Sequence, residues 1–481
     1  MSLKQKTISG LSWSFIERIV SQGSKFIVGI ILARLLLPKE FGLIGMLVIF
    51  TDLANAFIDS GFSQALIRKI NCSDKDYSTV FYFNLAVGVV IYFILFFNAG
   101  FIAAFFNEPQ LIKILRILGL SIIINSFGLI QSTILIKEIN FKLQSKITLI
   151  SATGSGLISI ILAIMGFGVW ALVWRFILLN FITTILLWIW NKWQPKILFS
   201  LSSFREMFTF GSKLLVSGLL DTLYNNIYYV VIGKFFSAAE LGFYTRANSF
   251  STLPSSNLDA IIQRVSYPVL SEMQDDEKRL KANYKKLIIN TMFITFILMF
   301  FLAATAKSVI LTLIGPKWTP SIILLQLLCF VMLLYPLHSL NLNILKVKGR
   351  SDLFLKLEII KKILAIPIIF VGIYYGINAM IIGMIIFSFI AYILNSHWSG
   401  RLINYSVKEQ VLDILPSFIL TVFMGTIVFI IGINLTLKPI LTLLIQAIAG
   451  MLIVFGLSEI FKFKPYVEIK EIIFTNFLKK T

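Results

Sequence analysis

Fourteen mostly apolar stretches follow one another along this 481-residue chain, separated by short connections. A helix that crosses the hydrocarbon core of a bilayer needs about 20 such residues. It must be a helix or a closed barrel, because lipid offers the backbone no hydrogen-bond partners. The stretches run roughly over 10–36, 41–61, 79–106, 110–136, 146–166, 168–191, 206–235, 241–265, 285–306, 321–345, 355–375, 377–400, 411–435 and 438–461. The one markedly hydrophilic segment, Gln274 to Lys286, is too short for a domain. Composition excludes a soluble alternative. The chain is 58% apolar and 14% charged, where soluble domains carry about 25% charge. Disorder is excluded too, since it needs low hydrophobicity. The expected fold is therefore an all-α integral membrane protein with 14 transmembrane helices. No small-residue cleavage site follows the Met-Ser-Leu-Lys-Gln-Lys start, so the first stretch is expected to be a span and not a removed signal peptide.

The net charge of +20 comes from 43 Lys plus Arg against 23 Asp plus Glu. Termini and loops after even-numbered spans hold 29 of the cations, and loops after odd-numbered spans hold 8. Lysine and arginine stay on the cytoplasmic side, so both termini are expected in the cytoplasm. This bias also accounts for most of the basicity without nucleic acid. Cys72 lies in a loop and Cys329 in an apolar segment, so no disulfide framework is expected.

Two segments repeat at an offset of 200. Residues 31–43 include Arg34, Glu40 and Gly42, and residues 232–243 include Lys234, Glu240 and Gly242. Asp59 likewise meets Asp259. An offset of six spans preserves orientation, so the halves are expected to be parallel repeats related by an axis along the membrane normal. The expected organisation is an N-lobe over 1–200, a C-lobe over 201–405 and a C-terminal helix pair with its tail over 406–481.

Ionisable residues inside a span cost about 2.5–3.5 kcal/mol each at a helix centre. They therefore face water or one another. Here they form stripes at helical spacing. Span 1 aligns Ser14, Arg18, Gln22, Lys25 and Gly29; span 2 aligns Asp52, Asn55 and Asp59. Span 7 aligns Lys213, Ser217, Asp221, Tyr224, Asn225 and Tyr228; span 8 aligns Arg246, Ser249, Ser256, Asp259 and Gln263. Span 6 adds Arg175 and Asn180. Spans 7 and 8 are the repeat partners of 1 and 2, which suggests a central aqueous cavity walled by these four. The competing reading is a set of structural ion pairs, such as Arg18 with Asp59, that hold helices in register. His338 and His397 lie on separate spans without a second ligand at fixed spacing, so no metal site is expected. No Walker loop is present, which argues against direct ATP use; no cofactor is expected.

Several motifs then stand out. They are Ala33-Arg34-Leu35-Leu36-Leu37-Pro38-Lys39-Glu40-Phe41-Gly42-Leu43, Asp59-Ser60-Gly61-Phe62-Ser63-Gln64-Ala65-Leu66-Ile67 and Gly166-Phe167-Gly168-Val169-Trp170-Ala171-Leu172-Val173. Leu241-Gly242-Phe243-Tyr244-Thr245-Arg246-Ala247, Val265-Ser266-Tyr267-Pro268-Val269-Leu270-Ser271 and Gly315-Pro316-Lys317-Trp318 continue the pattern. In these the chain resembles the Wzx-type polysaccharide biosynthesis flippases of the multidrug/oligosaccharidyl-lipid/polysaccharide exporter superfamily.

The resemblance implies two six-helix lobes in a V and alternating access in a bacterial inner membrane. It implies an undecaprenyl-diphosphate-linked oligosaccharide as cargo, for O-antigen and lipopolysaccharide, capsule or exopolysaccharide synthesis. Membrane lipid, a polysaccharide polymerase and a chain-length regulator are the implied partners. Under it, Arg18, Lys25, Arg175 and, nearer the outer end, Arg246 are candidates for the diphosphate, since cations form charge-assisted bonds with phosphate oxygens. Gln22, Asp52, Asn55, Tyr224, Asn225 and Tyr228 are candidates for the sugar. Asp52, Asp59, Asp221 and Asp259 are candidates for ion coupling or gating. No catalytic residue is expected. The alternatives are a cation-coupled multidrug exporter of the same superfamily, or a membrane-embedded polymerase or glycosyltransferase.

Overall fold

The computed structural model describes residues 22–478, apart from the side chains of 264, 265 and 472–478. Every element among them is helical. In the first half they are α1 (22–35), α2 (Pro38–Asp59), α3 (Phe62–Arg68), α4 (Asp74–Phe106), α5 (Leu111–Leu118), α6 (Leu120–Lys137), α7 (Phe141–Ile164), α8 (Val169–Trp190) and α9 (Leu201–Phe235). Then come α10 (Ala238–Ser271), α11 (Glu277–Leu313), α12 (Ser321–Met332), α13 (Tyr335–Val347), α14 (Ser351–Leu364) and α15 (Ile366–Tyr375). The last are α16 (Ile377–Leu402), α17 (Val407–Asn434), α18 (Pro439–Ile460) and α19 (Lys464–Leu478).

Ten of the described helical segments are long and apolar enough to cross a membrane, and the protein is a multi-pass membrane protein. The expected spans outside that set fall on α1, α9, α10 and the pair α14–α15. α9 and α10 carry polar stripes, and α14 is separated from α15 by a break at Ala365. The apolar faces of the long helices look outward. On α4, Phe97 is 70% and Phe101 77% exposed, as a lipid-facing helix requires.

Contacts divide the chain into two compact units, 1–242 and 243–481. In the first, α2 packs on α4 and α9, α4 on α6, and α8 on both α6 and α7. In the second, α11 is the central helix, packed by α12, α17 and α18, while α16 packs on α12, α13 and α15. Its core gathers Tyr284, Met292, Phe296, Leu337, Tyr405 and Met424. Lys281–Glu409, Lys285–Asp413 and Lys286–Glu468 tie the start of α11 to α17 and α19.

Within the first unit the repeat becomes a physical contact. A Cβ at Gly42 would lie 1.6 Å from the Ala238 carbonyl oxygen, and a Cβ at Gly242 would lie 1.9 Å from that of Pro38. Each position is carried onto the other by the 200-residue offset, so the contact is reciprocal. Only glycine permits backbones this close. A second glycine pair lies at the other end of α2. A Cβ at Gly61, whose φ is +70°, would meet the Gly211 carbonyl oxygen at 2.7 Å, and one at Gly211 would meet that of Ser60 at 2.5 Å. The chain from Gly42 to Gly61 is thus held against α9 and the start of α10 over about 28 Å.

Gly42→Ala and Gly242→Ala are each expected to lower stability by about 1–3 kcal/mol through overpacking. One contact carries both glycines, so the double variant should lose less than the sum, by more than about 0.5 kcal/mol. Gly218→Ala, with open space at its Cβ, should gain about 0.4–1 kcal/mol. Unfolding transitions in detergent check all three, and additive losses at 42 and 242 would separate the two glycines.

Candidate functional site

The first unit collects most of the polar stripes. α1 presents Lys25 as an exposed side chain, with Gln22 half-buried one turn earlier. Arg175, on α8, directs its Nη2 to the Lys25 carbonyl oxygen at 3.4 Å. This contact joins α8 to the backbone of α1. Asp52 and Asn55 stand three residues apart on α2 and are both exposed. Asn226 Nδ2 on α9 donates to Asp52 Oδ2 at 3.1 Å, and to the Thr222 carbonyl oxygen at 3.0 Å. Asn125 Nδ2 on α6 donates to Asn55 Oδ1 at 3.0 Å. Asp221 and Asn225 are exposed on α9, with Tyr224 and Tyr228 half-buried beside them.

The remaining expected residues have other surroundings. Asp59 accepts a bond from the Ser63 backbone N–H at 3.2 Å and so caps α3 across the Ser60-Gly61 turn. Arg246 and Asp259 belong to the second unit. There, Gln263 Nε2 donates to Asp259 Oδ1 at 3.4 Å, and Asn343 Nδ2 donates to Gln263 Oε1 and, at 3.4 Å, to Ser266 Oγ. Arg18 lies outside the described residues. Among the described residues there is no cluster of His, Cys, Asp and Glu that could hold a metal ion, and Cys72 and Cys329 are free thiols.

Sequence reasoning missed Asn125 and Asn226. Asn226 follows the expected Asn225 and lies about 100° further round the helix. It points into α2 while Asn225 stays open. An amide inside an apolar helix was the available signal for Asn125. Also missed was a cluster beyond the spans. Lys69 Nζ bonds Glu206 at 3.0 Å and Asp76 at 3.1 Å, and the bond to Glu206 raises the lysine above its ordinary pKa. Arg68 lies 4.7 Å from the Phe210 ring centre, and Phe62 meets Phe204 and Phe208. These contacts, with the Gly61–Gly211 approach, fasten α3 to the first turns of α9.

Residues 31–323 match the family model described as "Polysaccharide biosynthesis protein". Among curated proteins, the chain is 27% identical to "Lipopolysaccharide biosynthesis protein WzxC" of Escherichia coli (strain K12), over 77% of this chain and 76% of that one. It is 27% identical to "Teichuronic acid biosynthesis protein TuaB" of Bacillus subtilis (strain 168), over 73% of each. Among solved structures, "Lipid II flippase MurJ, inward closed conformation" superposes with a TM-score of 0.76 at 16% identity, covering 94% of this chain and 98% of that one. An inward-facing multidrug resistance MATE family transporter of the MOP superfamily gives 0.60 at 15% identity, covering 82% and 100%. At these identities the structures speak for the fold alone. The chain belongs to the polysaccharide biosynthesis protein family, as a Wzx-type member on the fold of the multidrug/oligosaccharidyl-lipid/polysaccharide exporter superfamily.

Proposed function

We propose that this protein is a flippase that moves undecaprenyl-diphosphate-linked oligosaccharide repeat units across the bacterial inner membrane. The observation that carries this reading is the exposure of Lys25, Asp52, Asn55, Asp221 and Asn225 on helices of a membrane protein. Lipid cannot solvate these groups, so they line a hydrated path. A diphosphate and several sugars need such a path. Lys25 and Arg175, with Arg18 and Arg246, take the phosphate oxygens. Asp52, Asn55, Gln22, Tyr224, Asn225 and Tyr228 take sugar hydroxyls, and the lipid tail stays in the bilayer. The relatives named for lipopolysaccharide and teichuronic acid synthesis support this class of cargo, and the fold likeness to a lipid II flippase supports the transport mode.

Alternating access fits the seam that α2 makes with α9 and the start of α10. Glycine contacts fasten both of its ends, so opening toward one side releases one end while the other holds. The reading includes 14 spans, lobes over 1–200 and 201–405 in a V, a C-terminal pair over 406–481 and both termini in the cytoplasm. Asp52, Asp59, Asp221 and Asp259 are its gating or ion-coupling candidates. A multidrug exporter shares the fold, but the cations of the polar stripes, Lys25 and Arg175 among them, oppose a cationic cargo.

Lys25→Ala and Arg175→Ala should each cut surface-polysaccharide export about 10–100-fold, as loss of a charge-assisted bond implies, while insertion stays normal. Export is read by complementing a null strain. Full complementation by both would remove the headgroup assignment. Water access gives an independent check in a Cys72→Ser, Cys329→Ala background. Asn55→Cys and Asn225→Cys should react with a membrane-impermeant thiol reagent, and Phe97→Cys and Phe101→Cys should not. Equal protection at all four positions would mean that no hydrated path reaches α2 and α9.

A further inference from the structure

In the second unit, α18 runs into α19 through the short turn Phe461 to Phe463, in which Lys462 has a φ of +46°. The turn lays α19 against α18 and α11. Lys470 Nζ on α19 bonds both carboxylate oxygens of Glu459, at 2.7 and 2.8 Å. The rings of Phe455 and Tyr466 lie 6.2 Å apart between centres. Glu468 accepts from Asn290 Nδ2 at 2.9 Å and pairs with Lys286 at 3.3 Å.

Two cavities meet at α19. An apolar one of about 490 Å³ lies between α11, α18 and α19, with Phe293, Ile297, Phe301, Ala447, Met451 and Phe455 in its wall. A polar one of about 470 Å³ is lined by Ser458, Glu459, Lys462 and Glu471. Tyr466 and Lys470 line both, so the two join near the C-terminal end of α18. Met451 and Phe455 are exposed, which opens the apolar part toward the bilayer. The joined space is therefore amphipathic in the way a lipid is.

Ser458 is an independent sign of a ligand. The residue is 0% exposed, and its Oγ has no hydrogen-bond partner among the described residues. Such an orphan calls for an explanation, and a hydroxyl can give its proton to a phosphate oxygen. The charges around it select the kind of headgroup. Two lysines and two glutamates line the polar cavity, so it is balanced. A headgroup with only negative charge would meet both carboxylates, whereas one that carries a phosphodiester and an ammonium finds a partner for each. The apolar part is of a size that holds small ligands, about 300–1,000 Å³. It takes one acyl chain and is too small for a polyprenyl tail.

We propose that the joined cavity binds one zwitterionic aminophospholipid of the phosphatidylethanolamine type, distinct from any cargo. One acyl chain lies between α11 and α18. The phosphodiester takes the Ser458 proton and pairs with Lys462, and the primary ammonium donates to the carboxylates of Glu459 and Glu471. A quaternary ammonium has no N–H to give them, so a choline headgroup is the poorer fit. The bound lipid fills the space under α19 and adds to the contacts that hold this helix to the second unit.

The test uses full-length protein in phosphatidylcholine liposomes doped with a phosphatidylethanolamine that carries a diazirine on one acyl chain. After irradiation, the label should fall on peptides that contain 293–301 and 447–455. Unlabelled phosphatidylethanolamine should compete about tenfold better than phosphatidylglycerol or added phosphatidylcholine, the ratio that one charge-assisted hydrogen bond confers. Lys462→Met and Ser458→Ala should each remove most of that preference, and Ala447→Phe should remove the label by filling the apolar cavity. Competition on the wild-type protein decides the matter without any variant. Equal competition by the three phospholipids would mean an ordinary lipid-facing surface and overturns the site, as does label on other helices. Stronger competition by undecaprenyl phosphate gives the cavity to a cargo tail and overturns the assignment. No outcome depends on transport, so failure here leaves the flippase reading standing.

Discussion

Hydrocarbon accepts no unpaired polar group, and most features of this protein answer to that constraint. It makes every described element a helix, since a helix satisfies its own backbone. It also sorts side chains. The phenylalanines of α4 look outward, while the amides and charges of α1, α2, α8 and α9 are paired across helices or left exposed. Asp52 does both: its carboxylate is exposed, and one oxygen accepts a bond from Asn226. A carboxylate held in this way on a membrane helix costs several kcal/mol to retain, and a purely structural seam could be built more cheaply from apolar residues.

The seam of α2 with α9 and the start of α10 shows how close packing and polar groups share one interface. Glycines at its ends bring backbones together where no side chain fits, and between them Asp52 and Asn226 meet. Small residues are the usual means of close helix approach in membranes, where burial against lipid tails supplies little drive. The reciprocal pairing of Gly42 with Ala238 and of Gly242 with Pro38 turns a weak sequence repeat into geometry. Beyond the spans, aqueous charges continue the job: Lys69 ties α3 to α9, and three lysines of α11 tie down α17 and α19.

Helical spacing made the stripes legible and named the faces that carry Lys25, Asp52, Asn55, Asp221 and Asn225. It did not name what opposes them. Asn226 and Asn125 came from faces that the stripes did not include, and Asp59 was grouped with its stripe although its carboxylate caps the following helix.

Apolar length, charge bias and period are local properties, so they survive in the one-dimensional string. They determined that the chain is helical, that it is embedded in membrane and that two of its segments repeat at an offset of 200. The partners of each polar group were decided only by tertiary structure. Two helices can be rotated and shifted against each other without changing either hydrophobic pattern, and only the packed arrangement selects which amide reaches Asp52 and which carbonyl receives Arg175.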